Sequence, residues 1–435
     1  MKNLIYTFVI LFFTTSIMLA QVPIPAPDQD TPILLTGATA HIGDGTVISN
    51  AIIGFDKGKL TIVAQAGNTD TDISQYEVID VAGKHIYPGF ILPNTQLGLV
   101  EVNSLRATND MSEEGTINPN VRSLIAYNTD SENIPTMRFN GILLAETTPT
   151  GGIISGVSSV MEMEGWNWED AVHSADIAMH LNWPQKMRRQ FDFATFTISQ
   201  TPNKNYKKEV EGLQKHFDDA VAYGSMEGKT RNLKMEKMQG LFNGSTILMI
   251  HASGAKEIVE SVKMAQSHGV DKIVIIAGSS ALHVSEFLKD NDIAVVVPPV
   301  HSLPSRDDED IDLPYRLPHL LTEAGVTVAL SHRGMLANAR NLPFYAGTAA
   351  AYGMDKEDAL KTITSNTAAV LGIDDRVGTL KVGMDATLFV SQGDALDIRT
   401  SILTHAFIGG KNVVLDNKQQ ALYDRYSEKY GHNRN

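Results

Sequence analysis

The sequence predicts an α/β protein: a (β/α)8 TIM-like barrel joined to a small β-sandwich domain built from both chain ends. Three observations carry this. The middle of the chain alternates eight short apolar runs with helical patterns, which favours a closed parallel barrel over an open sheet. Both ends read instead as β-rich meanders broken by Gly and Asp. At 435 residues the chain is too long for one small domain and suits a barrel with a satellite.

Lys2 precedes the apolar run "LIYTFVILFFTTSIMLA", which ends at the small residue Ala20 before a polar, Pro-containing exit. This is the pattern of a secretory signal over residues 1–20, so the mature chain is expected to begin near Gln21 and to be periplasmic or secreted. The alternative is an uncleaved anchor, because the run approaches bilayer-spanning length. Residues 21–85 supply the first part of the sandwich, with "ILLTGATAHIGDGTVISNAIIGFDKGKLTIVAQAG" as its meander. Residues 377–420 supply the second, with "GTLKVGMDATLFVSQGDAL" and "ILTHAFIGGKNVVL". Residues 421–435 read as a polar tail.

The barrel is expected over residues 86–376. Its strand candidates are "HIYPGFILP", "GILLAET", "SGVSSVMEM", "DIAMHL", "TILMIH", "KIVIIAG", "IAVVVPP" and "GVTVALSH", several followed by helical stretches such as "SGAKEIVESVKMAQSHG". Residues 183–236 are polar, with Lys/Arg clusters and weak periodicity, and read as an excursion carrying one or two surface helices. In such barrels chemistry sits at the C-terminal strand ends. At the first of these, "YPGFILPNTQLGL" places Asn94 and Gln96 at i and i+2, on one face of the expected strand end.

A net charge of −14 argues against nucleic acid, and against anionic membrane once the signal is removed. The absence of cysteine excludes disulfides, a thiol nucleophile and zinc–thiolate sites. No HExxH, GxSxG or P-loop pattern occurs, and no cofactor is implied. The Gly-rich "PTGGIISG" (149–156) reads either as an anion cradle or as a tight turn. "RDDEDID" (306–312) has carboxylates but lacks the glycine and spacing of a calcium loop.

The strand ends carry a known pattern. "VIDVAGKHIYPGFILPNTQLGL" resembles the opening of the barrel in the amidohydrolase superfamily, usually "VIDAxGKxxxPGFIDxHxHLG". "NGILLAETTPTGGIISGVSSVMEMEGWNWEDAV" resembles the subgroup near imidazolonepropionase, and "TILMIHASGAKEI" the family's fifth strand. "LGIDDRVGTLKVGMDATLFV" resembles the closing "GxxxxxGSLxxGxDADLVV". The resemblance spans residues 32–416. It implies hydrolysis of amide or cyclic amide bonds by metal-activated water, with ligands at the ends of strands one, four, five, six and eight.

Carried over position by position, that ligand set is largely gone. The two first-strand histidines fall on Asn94 and Gln96, the aspartate before them on Leu92, the sixth-strand histidine on Ala277 and the eighth-strand aspartate on Arg333. His251 survives at the fifth strand, and residues 176–181 offer no lysine. A catalytic zinc needs about three imidazole or carboxylate ligands and an open position. Neutral amides are weak substitutes. A guanidinium about 4 Å from a divalent cation would repel it by roughly 8 kcal/mol at an effective dielectric of about 20, and Arg cannot shed its proton.

The expectation is therefore an exported amidohydrolase-superfamily protein without metal ligands or catalytic residues: a pseudoenzyme, or a partner subunit of an active paralogue or of a second copy. Two readings of the mouth stay open. Asn94 and Gln96 either hydrogen-bond the barrel mouth as relics, or join Arg333 and His251 in a metal-free polar pocket for a small carboxylate or amide. A third possibility is a hydrolase of cyclic amides with an altered metal site, in which His180 or His332 joins His251.

Overall fold

The computed structural model describes residues 24–68, 72–192 and 195–432. The expected signal and the expected mature start at Gln21 lie outside the described residues. Among those described, no helix is long and apolar enough to cross a membrane.

The barrel strands run Phe90–Thr95, Ile142–Thr147, Ile154–Glu162, Val172–Asn182, Ile247–His251, Ile273–Ile276, Ala294–Val297 and Val328–Leu330, here barrel strands 1 to 8. They lie side by side in chain order. Each matches an expected apolar run. Strands 1 and 2 pair in parallel, as do 4 to 8 in sequence. Strand 3 departs from the all-parallel expectation and runs antiparallel to both neighbours.

The reason is chain length. A parallel crossover needs a dozen or more residues, and only residues 148–153 separate strands 2 and 3. Gly151 and Gly152 (φ +89° and +66°) turn that link, and a Cβ at Gly152 would lie 2.8 Å from the Thr116 carbonyl oxygen. The Gly-rich loop is thus a hairpin turn. Three N–H groups along this link are already committed: Thr148 to Thr95 O, Thr150 to Met111 O and Ile153 to Thr116 O.

Strands 8 and 1 close through an intermediary. Leu330 N–H donates to Thr362 O, Ile91 N–H to Ile363 O, and the Ser331 hydroxyl to Pro93 O. Inside, every strand contributes to a common apolar floor through Ile91, Leu144, Val160, Ala178, Met249, Val274, Val296 and Ala329. The helix Ser365–Leu371 packs against that floor through Ala368, Val370 and Leu371. The barrel is filled, not hollow.

Strands from both chain ends form one second sheet, in the order 411–412, 403–408, 388–391, 85–88, 33–41, 47–56, 59–65, with 77–80 added beside 33–41. Its own core includes Leu35, Ile53, Phe55, Leu388 and Phe407. The chain passes from this sheet into barrel strand 1 at Pro88-Gly89, where a Cβ on Gly89 would lie 2.9 Å from Thr387 Cγ2 and 3.0 Å from Leu143 Cβ. Only glycine allows that approach. The excursion after strand 4 holds the helices Tyr206–Ser225 and Leu233–Phe242, preceded by a hairpin (Met187–Asp192, Thr197–Pro202) that sequence did not foresee. The last described element is a helix, Lys418–Tyr430.

Candidate functional site

Side chains alternate faces along a strand, so the residue two positions beyond each floor residue, toward the mouth, points into the barrel. Counting from Leu144, Ala178 and Met249 gives Glu146, His180 and His251. Counting back along the reversed strand 3 from Val160 gives Ser158. The structure joins all four.

Glu146 is fully buried. Its Oε2 accepts from Asn94 N–H (2.8 Å), and its Oε1 from the Ser158 hydroxyl (2.6 Å) and from His180 Nε2 (3.0 Å). His180, also fully buried, places its other nitrogen, Nδ1, 3.1 Å from His251 Nε2. Burial alone would push the Glu146 carboxyl up. The hydrogen bond and charge of His180, helped by Ser158 and Asn94, hold it below the ordinary carboxylate value. Burial first, then the charges of His180 and Arg333, push His251 down to about 3, so it is neutral at pH 7.

Asn94 reaches Glu146 by leaving strand geometry. It has φ +53°, in the left-handed region, which Asn tolerates better than most residues. The register between strands 1 and 2 slips between Leu92 and Thr95. Asn94 and Gln96 are therefore not two positions on one strand face. Asn94 sits in a bulge, Thr95 is buried, and Gln96 lies past the strand end. Both side chains are half-buried, and neither amide has a hydrogen-bond partner among the described residues.

The other expected positions fall as follows. Arg333 is exposed, two residues beyond Ser331, and pairs with no carboxylate among the described residues. Leu92 and Ala277 are buried in the large apolar cluster. His332 is held apart from the chain of histidines: its Nδ1 lies 2.9 Å from Tyr345 Oη, and its Nε2 donates to Met335 O (3.0 Å). In the acidic lip, Asp308 pairs with Arg306, and Glu309 accepts from Ser305 N–H and Arg306 N–H.

Among the described residues no group of three or more His, Asp or Glu could hold a metal ion. The donor chemistry agrees with that geometry. His251 Nε2 and both nitrogens of His180 are engaged in hydrogen bonds, and the remaining positions offer two neutral amides, a methyl group and a guanidinium. The residues present do not fit a catalytic divalent metal.

Sequence reading missed Glu146 and Ser158. The signal was present: "ILLAET" is an apolar strand with one carboxylate inside it, and an acid there must be buried with partners or exposed at an end.

A barrel of this build, sealed at one end and polar at the other, with a second sheet drawn from both termini, is the architecture that the strand-end motifs implied. Residues 231–416 match the amidohydrolase family. The crystal structure of an amidohydrolase from Thermotoga maritima MSB8 is similar, with TM-score 0.75 and 22% identity over 88% of this chain and 99% of that one. A prolidase complexed with N-methylphosphonate-L-proline gives TM-score 0.53 at 15% identity, covering 88% and 99% of the two chains. Molinate hydrolase gives 0.53 at 13%, covering 90% and 96%. At such identities these likenesses are of fold. No curated protein matches the chain in sequence. Over residues 231–416 the chain thus matches the family that its strand-end motifs implied, and over most of its length it shares the fold of the solved amidohydrolase.

Proposed function

We propose that this chain is a non-hydrolytic member of the superfamily, whose barrel mouth has become a metal-free polar pocket. One observation carries the reading: the surviving ligand-position histidine, His251, spends its Nε2 on His180. Arg333 adds to this, standing where the family's acid would be and bringing positive charge to bear on His251. Restoring a metal would require breaking the buried Glu146–His180–His251 chain as well as overcoming that charge. Purified protein is expected to hold no stoichiometric zinc, nickel or manganese by elemental analysis. About one metal per chain, lost on His251→Ala, would overturn the reading and return the protein to the hydrolases.

Export belongs to the same reading and rests on the sequence pattern of residues 1–20. Mass spectrometry of the protein recovered from its native cells should find an N-terminus near Gln21 in the periplasmic or secreted fraction. An intact N-terminus in the membrane fraction would contradict it.

A further inference from the structure

We propose that the groove between the helices Tyr206–Ser225 and Ala255–Ser267 is a binding site for a small molecule with an apolar body and one acidic group, the acid being held by Lys263. None of the mouth residues described above lines this groove, so the inference stands apart from the metal-free reading.

Helical spacing builds the walls. Tyr206, Val210 and Gln214 follow one another at i+4 on the first helix, and Glu260, Lys263, Met264 and Ser267 at i+3 and i+4 on the second, so each set shares one helix face. The two faces enclose a cavity of about 540 Å³, a size ordinary for small-molecule sites. Trp183, the first residue after strand 4, joins Val210, Met264 and the Tyr206 ring in giving it an apolar floor. Trp183 and Met264 are buried, whereas Tyr206 and Val210 are half-buried and still reach water. A ligand body laid on this floor would remove that apolar surface from water.

Most of the polar lining is already engaged. Trp183 Nε1–H donates to Tyr206 Oη at 3.1 Å, and the Tyr206 hydroxyl donates to Glu260 Oε2. Lys186, which is not part of the lining, donates to Glu260 Oε1 at 2.8 Å and stands 5.1 Å from the centre of the Tyr206 ring. Glu260 thus has its counter-charge from outside, and the same contacts hold the two aromatic rings in place. The Ser267 hydroxyl is spent on Met264 O at 2.8 Å, and Lys207 faces Glu211 at 3.7 Å on its own helix. Lys263 remains. It is exposed and pairs with no carboxylate among the described residues, and the Gln214 amide on the facing helix is likewise unpartnered. The lining therefore carries one uncompensated positive charge beside an apolar floor. A cationic ligand would be repelled by it and a neutral one would leave it unused, whereas an acid gains a charge-assisted hydrogen bond.

The test is calorimetric titration of the full chain with phenylbutyrate and, separately, with octanoate, each set against its neutral amide. At least one acid should bind saturably at one site per chain, and the tighter of the two assigns the body as aromatic or acyl. Its amide should bind about tenfold more weakly or worse, because it forgoes the charge-assisted contact. Lys263→Gln, at an exposed position, should bring the acid down to the level of the amide with an unchanged melting temperature. Val210→Trp, which fills the groove, should abolish binding of both. Failure of both acids to bind, amides that bind as tightly as the acids, or acid binding unchanged by Lys263→Gln each overturns the proposal. So does acid binding that survives in a folded Val210→Trp variant, since the ligand would then lie elsewhere. Metal found at the mouth would defeat the metal-free reading and leave this one standing.

Discussion

Glu146→Ala is expected to destabilise the fold by about 3–5 kcal/mol, the range for removing one partner from a buried ion pair. The substitution deletes the acceptor of three donors at once: Asn94 N–H, the Ser158 hydroxyl and His180 Nε2. Those groups sit in the barrel interior, where water cannot replace the lost oxygens without a cavity large enough to hold it. Glu146→Gln keeps one acceptor oxygen and should lose roughly half as much. Adding His180→Ala to Glu146→Ala removes the stranded imidazole, so the double variant should fall short of the sum of the singles by more than about 1 kcal/mol. Urea midpoints at constant slope give all four values. If Glu146→Ala lies within about 1 kcal/mol of wild type, the carboxylate is not the buried anchor that its hydrogen bonds indicate.

Why this anchor escaped the sequence while the barrel did not is a matter of what each signal encodes. Apolar runs such as "TILMIH" and "KIVIIAG" report burial on both faces, which only a covered strand satisfies, so the existence of the barrel strands was legible. Their direction was not, because a buried run reads the same either way. The direction of strand 3 lay in the short link 148–153, whose Gly-rich composition permitted a turn without excluding a cradle. The left-handed conformation of Asn94 is set by its tertiary bond to Glu146, and "LPNTQ" does not show it. The family's ligand positions fall on Asn94, Gln96, His251 and Arg333. Glu146 occupies none of those positions, although period-two counting from Leu144 puts it beside His180.

Wild-type stability is expected to fall by roughly 2 kcal/mol more than that of His251→Asn between pH 7.5 and pH 5. In the folded chain His251 is held down to about 3 by burial and by the charges of His180 and Arg333, against an ordinary value of 6.5. Below 6.5 the unfolded chain therefore takes up a proton at this residue that the folded chain refuses. The unfolded state binds more protons, so stability rises with pH and is lost as pH falls, at about 1.4 kcal/mol per pH step for one such proton. The loss continues until the folded value near 3 is reached. His332 and His301, also lowered by burial, act in the same direction and are present in both proteins, so the difference isolates His251. Glu146 acts elsewhere. Its folded value is depressed, so its contribution is complete above the ordinary carboxylate range and is lost only as pH falls below it. Urea denaturation of both proteins at several pH values across the window provides the comparison. Parallel curves would mean that His251 protonates as readily in the folded chain as in the unfolded one, and that the mouth is wetter and less positive than the buried Glu146–His180–His251 chain and exposed Arg333 imply.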